Sequence, residues 1–161
     1  MPRCKSCGKR GLFLKVNWQG LCKSCEKTLK QESASMSKRL IKIEQFEKNH
    51  GSILDRYYAL NQSADEAYRC GQYAKCIVRC REILQFLPQV QTAFRAEIKL
   101  GYADTPPRVP TYKRLAMAYE KQGDINKAIE VCKEAIAKGY SYDGTKEGMH
   151  GRIKRLEKKR R

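Results

Sequence analysis

Gly71-Gln-Tyr-Ala-Lys-Cys-Ile-Val-Arg-Cys-Arg-Glu-Ile-Leu84 returns without a gap as Gly123-Asp-Ile-Asn-Lys-Ala-Ile-Glu-Val-Cys-Lys-Glu-Ala-Ile136, an offset of 52 residues. Gly71 falls on Gly123, Lys75 on Lys127, Ile77 on Ile129, Cys80 on Cys132 and Glu82 on Glu134, and most remaining positions are like for like. An amphipathic stretch precedes each glycine, and apolar residues recur at helical spacing after it. Glycine between two such stretches is a helix stop. The repeating unit is therefore helix, Gly turn, helix.

That unit resembles the tetratricopeptide repeat, a helical hairpin of about 34 residues. In residues 109–142 the family's aromatic, Leu, small, Tyr, Ala and small positions fall on Tyr112, Leu115, Ala116, Tyr119, Ala128 and Ala135, while Cys132 and Tyr140 depart from its Phe and Pro. Residues 57–90 form a more divergent copy through Leu60, Ser63, Ala64, Ala67, Cys76, Cys80 and Ile83, closed by Pro88. The resemblance implies an interaction scaffold whose ligand lies on the face made by the first helix of each repeat. Here that face would carry Asn61, Asp65 and Tyr68 from one copy and Lys113, Met117 and Glu120 from the other. Of the basic and amide side chains with which the family clamps a peptide carboxylate, Asn61 and Lys113 are present.

Outside the copies, helical patterns continue. Val90, Phe94, Glu97 and Ile98 predict an extra helix over about 89–100, ended by Gly101 and the Asp104-Thr-Pro-Pro107 loop within the 18 residues between the copies. Residues 26–48 read as one long helix with Leu29, Met36, Leu40 and Ile43 near heptad spacing, stopped around Asn49-His50-Gly51 and packed on the first repeat. Thr145 to about Lys159 reads as a closing helix that buries Met149, Ile153 and Leu156.

At the amino end, Cys4 and Cys7 form one C-x2-C pair and Cys22 and Cys25 a second, with 14 residues between the pairs. This is the spacing of a four-thiolate zinc site. Each pair supplies two sulfurs from one tight turn, and Arg3, Lys5, Lys9, Arg10 and Lys23 favour thiolate over thiol. Two disulfides are the alternative; Met1 runs straight into Pro-Arg-Cys with no secretory pattern, which favours zinc. Between the pairs, Gly8 to Gly11 reads as a turn, Leu12 to Val16 as a short strand, and Asn17 to Leu21 as the return of a hairpin. A knuckle, a hairpin and a second pair at a helix start resemble the treble-clef group of zinc modules, over residues 1 to about 32. A treble-clef nuclease needs histidine at its hairpin and helix, and His50 and His150 both lie outside the module. Four thiolates also close the coordination sphere against a substrate water.

Charge is concentrated at the ends of the chain. Residues 1–31 hold 8 basic and 1 acidic side chains, residues 144–161 hold 8 and 2, and residues 32–143 hold 18 and 14, so most of the net charge of +17 is terminal. Clustered cations are the footprint of a phosphate-backbone binder. The contacts this reading nominates are Lys9, Arg10, Lys15 and Trp18 in the zinc module, with Arg152, Arg155, Lys158, Lys159, Arg160 and Arg161 at the carboxyl end. Phe13 and Trp18 have two readings, a base-stacking surface or the small core of the zinc module.

Cys76 and Cys80 share one helix face, but the repeat places them opposite Ala128 and Cys132, at core positions, so they read as packing residues rather than a second metal or redox site. No phosphate-cradling loop, paired-carboxylate constellation or nucleophile motif is present, and no run approaches the ~20 apolar residues of a membrane span. The expectation is a mainly α protein: a Cys4 zinc module with β-hairpin and helix over 1–31, a connecting helical segment over 32–56, and a tetratricopeptide-like array over 57–161 with a basic closing helix. Its function would be that of a cytoplasmic, non-enzymatic adaptor holding a protein segment, with one structural zinc ion, no membrane partner, and basic ends on nucleic acid or an acidic partner. The alternative is a nucleic-acid-binding accessory protein whose helices support the zinc module.

Overall fold

The computed structural model describes residues 1–160. Six α-helices follow one another: α1 Lys23–Phe46, α2 Ser52–Arg69, α3 Tyr73–Lys99, α4 Thr111–Lys121, α5 Ile125–Ala137 and α6 Gly148–Arg160. Contacts within the chain define two units, Met1–Lys48 and the remainder from Asn49 onward. The division falls inside 32–56, the stretch read from sequence as a connection.

In the second unit each helix packs on its neighbour in sequence, and α2 also touches α4. The two copies of the repeat are thus two helical hairpins, α2/α3 and α4/α5, joined chiefly where α4 packs on α3, with a smaller contact between the first helices α2 and α4. Their turns are the same to the level of single hydrogen bonds. Gln72 N–H donates to Ala67 C=O (2.8 Å) and Asp124 N–H to Tyr119 C=O (3.0 Å), each across a glycine with left-handed backbone, φ +72 at Gly71 and +83 at Gly123. This six-residue closure satisfies carbonyls that the helix end would otherwise orphan, and a Cβ there would cost about 1–2 kcal/mol. Asp124 also caps α5 by accepting from Lys127 N–H (3.1 Å).

The hairpins bury most of the positions the repeat singles out, with Leu60, Ser63 and Tyr119 half-buried. Ala64, Ala67, Cys76, Cys80 and Ile83 are buried in the first, and Tyr112, Leu115, Ala116, Ala128, Cys132 and Ala135 in the second. Small side chains at matched positions let the helices approach closely. Two polar links join the hairpins, Arg114 to Asp65 (3.0 Å) and Arg81 to Glu134 (3.5 Å), while Tyr112 Oη donates to the same Glu134 (3.3 Å) from within the second hairpin.

Along α1 to α3 the structure departs from the sequence reading in three places. No separate helix begins at 89; α3 runs unbroken for 27 residues with Pro88 inside it. Proline removes one backbone bond and crowds the carbonyl four residues back, at about 3 kcal/mol. Phe86, Leu87, Val90, Ala93 and Phe94 are all buried on either side of it, and each large apolar side chain contributes about 1.5–3 kcal/mol, so burial outweighs the defect. At Gly51 the backbone stays right-handed (φ −54, ψ −54) and Glu47–Gly51 forms a π-helical turn instead of a stop. Leu29, Met36 and Leu40 on α1 are exposed.

The closing helix starts at Gly148 rather than Thr145, because Asp143 and Thr145 build its cap. Asp143 accepts from Thr145 N–H (3.0 Å) and Oγ1 (2.6 Å), and Thr145 Oγ1 accepts from Gly148 N–H (3.1 Å). Gly148 has φ +57, and a Cβ there would lie 2.3 Å from Ser141 O. Met149 and Leu156 are buried as the pattern predicts, whereas Ile153 is half-buried.

Candidate metal centre and helical cleft

The four cysteines of the amino-terminal unit converge. Cys4 and Cys7 sit on a knuckle closed by Gly8 N–H to Cys4 C=O (3.0 Å) and Cys4 N–H to Lys9 C=O (2.9 Å), with Arg3 and Arg10 bridged beyond it. The second pair is delivered by Asn17, whose Oδ1 accepts from Gln19 N–H (3.1 Å) and Leu21 N–H (2.9 Å) while its own N–H donates to Leu21 C=O (2.9 Å). This side-chain turn returns the chain to Cys22, the residue immediately before α1, and Cys25 follows in the first helical turn. Lys5 N–H to Gly20 C=O (2.9 Å) ties the two halves together. The expected strand over Leu12–Val16 does not form; a single antiparallel bridge, Val16 to Cys22, stands in its place. So few residues leave room for turns only.

All four sulfurs lie within 4.8 Å of one another, and Cys7 Sγ and Cys22 Sγ are 3.9 Å apart. A tetrahedral ion at the usual Zn–S distance of about 2.3 Å requires sulfurs about 3.8 Å apart. The donor set fits such an ion with contraction of at most about 1 Å, and all eight cysteines of the chain are free thiols rather than disulfides. Backbone N–H groups of Cys22 and then Cys7 hold the Cys4 thiol down at about 6. At Cys25 a Ser6 hydrogen bond favours thiolate, but the crowding thiols of Cys7 and Cys22 push it up to about 11. Four thiols so placed resist sharing negative charge, which a cation relieves.

Around the sulfurs, only Leu21 with Leu14 supplies apolar packing for Cys4, Cys22 and Cys25. Phe13 is 97% exposed, Trp18 90% and Leu12 74%. The core reading of Phe13 is thereby overturned: the thiols occupy the centre of the module and the aromatic rings stand outside, as do Lys9, Arg10 and Lys15, which are exposed in the same stretch of chain.

In the second unit a cleft of about 350 Å³ opens between α2 and α4. Asp65, Tyr68, Lys113 and Met117, four of the six face residues named from sequence, line it together with Arg69 and Arg114. Asn61 lies deeper, donating to Tyr57 C=O (2.9 Å) and accepting from Arg114 (3.3 Å). Glu120 is turned to α6, where it pairs with Arg152 (3.6 Å) and with Lys159. The sequence reading passed over Arg69 and Arg114, which straddle Asp65 at 2.7 and 3.0 Å. An unassigned cation one helix away from an Asp is visible only once the helices are paired.

The carboxyl-terminal cations divide. Arg152, 11% exposed, is committed to Asp143 (3.1 Å), a carboxylate with no exposed surface of its own. A buried carboxylate requires such a partner, so Arg152 leaves the set of nucleic-acid contacts. Arg155 also approaches Asp143 (3.6 Å) from an exposed position, and Lys158 and Arg160 face solvent. Arg161 lies outside the described residues. Cys76, Cys80 and Cys132 are fully buried. Hydrogen bonding to Cys76 and burial push the Cys80 thiol far up, and burial raises Cys132 to about 11. Neither thiol has the character of a nucleophile.

No helix among the described residues is long and apolar enough to cross a membrane. No protein-family model, curated protein or solved structure matches the chain.

Proposed function

We propose that this chain is a zinc-stabilised adaptor of the cytoplasm: a structural zinc ion on Cys4, Cys7, Cys22 and Cys25 folds a treble-clef-like module, and a tetratricopeptide-like helical array captures a segment of another protein. The metal supplies folding energy and no reaction, since four thiolates leave no open coordination position. The observation that carries the reading is the α2/α4 cleft, which Tyr68 and Met117 line from equivalent helices of two hairpins together with Lys113. Side chains on rigid, packed helices offer a preformed site, and a binding role needs no catalytic constellation.

A second reading, nucleic-acid binding by the zinc module, is favoured by one observation of its own. Phe13 and Trp18 are nearly fully exposed in a stretch of chain that also exposes Lys9, Arg10 and Lys15, the combination of stacking groups and cations that single strands use. Purification of the tagged full-length chain from cells, at low and high salt, separates the two. A stoichiometric protein that survives high salt and is lost from a Tyr68→Ala, Met117→Ala variant supports the adaptor. Nucleic acid that is lost at high salt and from Trp18→Ala supports the second reading.

A further inference from the structure

A second cleft, about 370 Å³ in volume, lies between Pro107–Lys113, where the chain enters α4, and the Gly139–Gly144 loop that follows α5. It shares Pro110 and Lys113 with the α2/α4 cleft, so the two adjoin across a single turn of chain. Neither Lys113 nor Arg108 is ion-paired among the described residues. Arg108 is nevertheless held in place, its guanidinium 4.5 Å over the Tyr142 ring and donating to Tyr142 Oη at 3.1 Å. The two carboxylates in the walls are already neutralised from within: Asp65 by Arg69 and Arg114, Asp143 by Arg152 and Arg155. The lining thus presents uncompensated positive charge between apolar surfaces of Pro107, Val109, Tyr140 and Tyr142.

We propose that the two clefts act as one groove whose occupant is an acidic, extended segment of a partner protein, its carboxylates on Lys113 and Arg108 and an apolar side chain between the prolines and tyrosines. The proposal rests on the adaptor reading and names the chemistry of its ligand. Charge complementarity selects the occupant. A second copy of a chain with net charge +17 is repelled. A phosphate backbone satisfies the cations but brings nothing to fill the Pro and Tyr walls, whereas a peptide brings both. Charge-assisted hydrogen bonds to carboxylate are the strong ones, and Arg108, stacked in advance, loses little freedom in making them.

The test is fluorescence anisotropy of the metal-loaded full chain near physiological salt with four labelled probes: a nonapeptide alternating Glu or Asp with Leu and Phe, its Gln/Asn counterpart, its Lys counterpart, and oligo-dT. The acidic peptide is expected to bind best. Lys113→Glu and Arg108→Glu should each weaken it about tenfold or more, as loss of a charge-assisted bond implies. Both positions are at the surface, so unchanged circular dichroism and melting verify that the fold is kept. Joint neutralisation of Lys9, Arg10 and Lys15 should leave the affinity as it was. Indifference to the two groove variants, or loss on neutralising the zinc module instead, overturns the proposal. Equal binding of the Gln/Asn peptide overturns the charge inference while the adaptor reading stands. Oligo-dT binding that depends on Lys113 and Arg108 but not on Tyr142 assigns the groove to phosphate and overturns it too. Failure of all the peptides overturns the groove, and the adaptor reading is then judged by the copurifying protein and its dependence on Tyr68 and Met117.

Discussion

Cys22 does two things at once: it contributes a sulfur to the cluster and its N–H donates to Cys4 Sγ at 3.3 Å. Cys22→Ser should therefore abolish metal binding and melt the first ~30 residues, because so small a module has no core without its ion. Elemental analysis should fall from one zinc per chain to none, while helicity of α2 to α6 persists by circular dichroism. The buried thiols behave in the opposite way. Cys70 is exposed whereas Cys76, Cys80 and Cys132 are buried, so a thiol reagent applied to the metal-loaded protein should label Cys70 in the native state and the other three only on unfolding. Cys80→Ala should lower stability by about 1 kcal/mol. Asp143 is the residue on which acid stability turns. Burial alone would raise its carboxyl, but Thr145, through hydroxyl and N–H, and Arg152 hold it below the usual carboxylate range. A depressed carboxyl contributes stability that is complete above its unfolded value of about 4 and is lost as the pH falls through its lower folded value. Asp143→Asn should cost about 1.5–3 kcal/mol at neutral pH by removing a charge-assisted partner of Arg152, which keeps only the longer contact to Glu120. Urea midpoints of the variant should depend less on pH below about 4 than those of the wild type.

At the scale of elements, α3 carries the test of how burial overrides propensity. Pro88 leaves the Leu84 carbonyl without its helical donor, yet α3 passes through it with Phe86, Leu87 and Val90 buried. Pro88→Ala should raise stability by about 1–3 kcal/mol, read as a higher urea midpoint with unchanged slope. A loss instead would mean that the ring itself fills space in the core. The turns behave differently, since a left-handed glycine and its six-residue closure are local. Their recurrence at Gly71 and Gly123 follows from the chain within a few residues and owes little to packing.

For the whole molecule, the asymmetry of charge gives a salt-dependent prediction. If the amino-terminal Cys4 module and the carboxyl-terminal helix contact phosphates, logarithmic affinity for single-stranded oligonucleotides falls steeply with logarithmic salt, by about 0.7 per contact. Removing Lys158 to Arg161 should reduce that slope, though by less than four contacts, because Lys159 is spent on Glu120. Trp18→Ala should lower affinity by about 1–3 kcal/mol with the slope unchanged, since a stacked base carries no counterion. Titrations at several salt concentrations check both, and no binding at any of them removes the nucleic-acid reading. What was legible in advance was whatever physics acts over short stretches of chain. The two C-x2-C pairs named the four cysteines that converge because a tight turn presents two sulfurs, and the repeat at an offset of 52 residues named the buried Ala and Cys positions because helix periodicity assigns faces. Tertiary structure alone decided the rest. Phe13 is expelled to the surface by a centre filled with thiols, Pro88 is retained in a helix by what packs beside it, and Arg152 is withdrawn from solvent by a buried carboxylate. The groove around Lys113 likewise exists only once α2, α4 and the loop after α5 are brought together. Burial and charge pairing are set by neighbours distant in sequence, and a local pattern carries no record of which neighbours those will be.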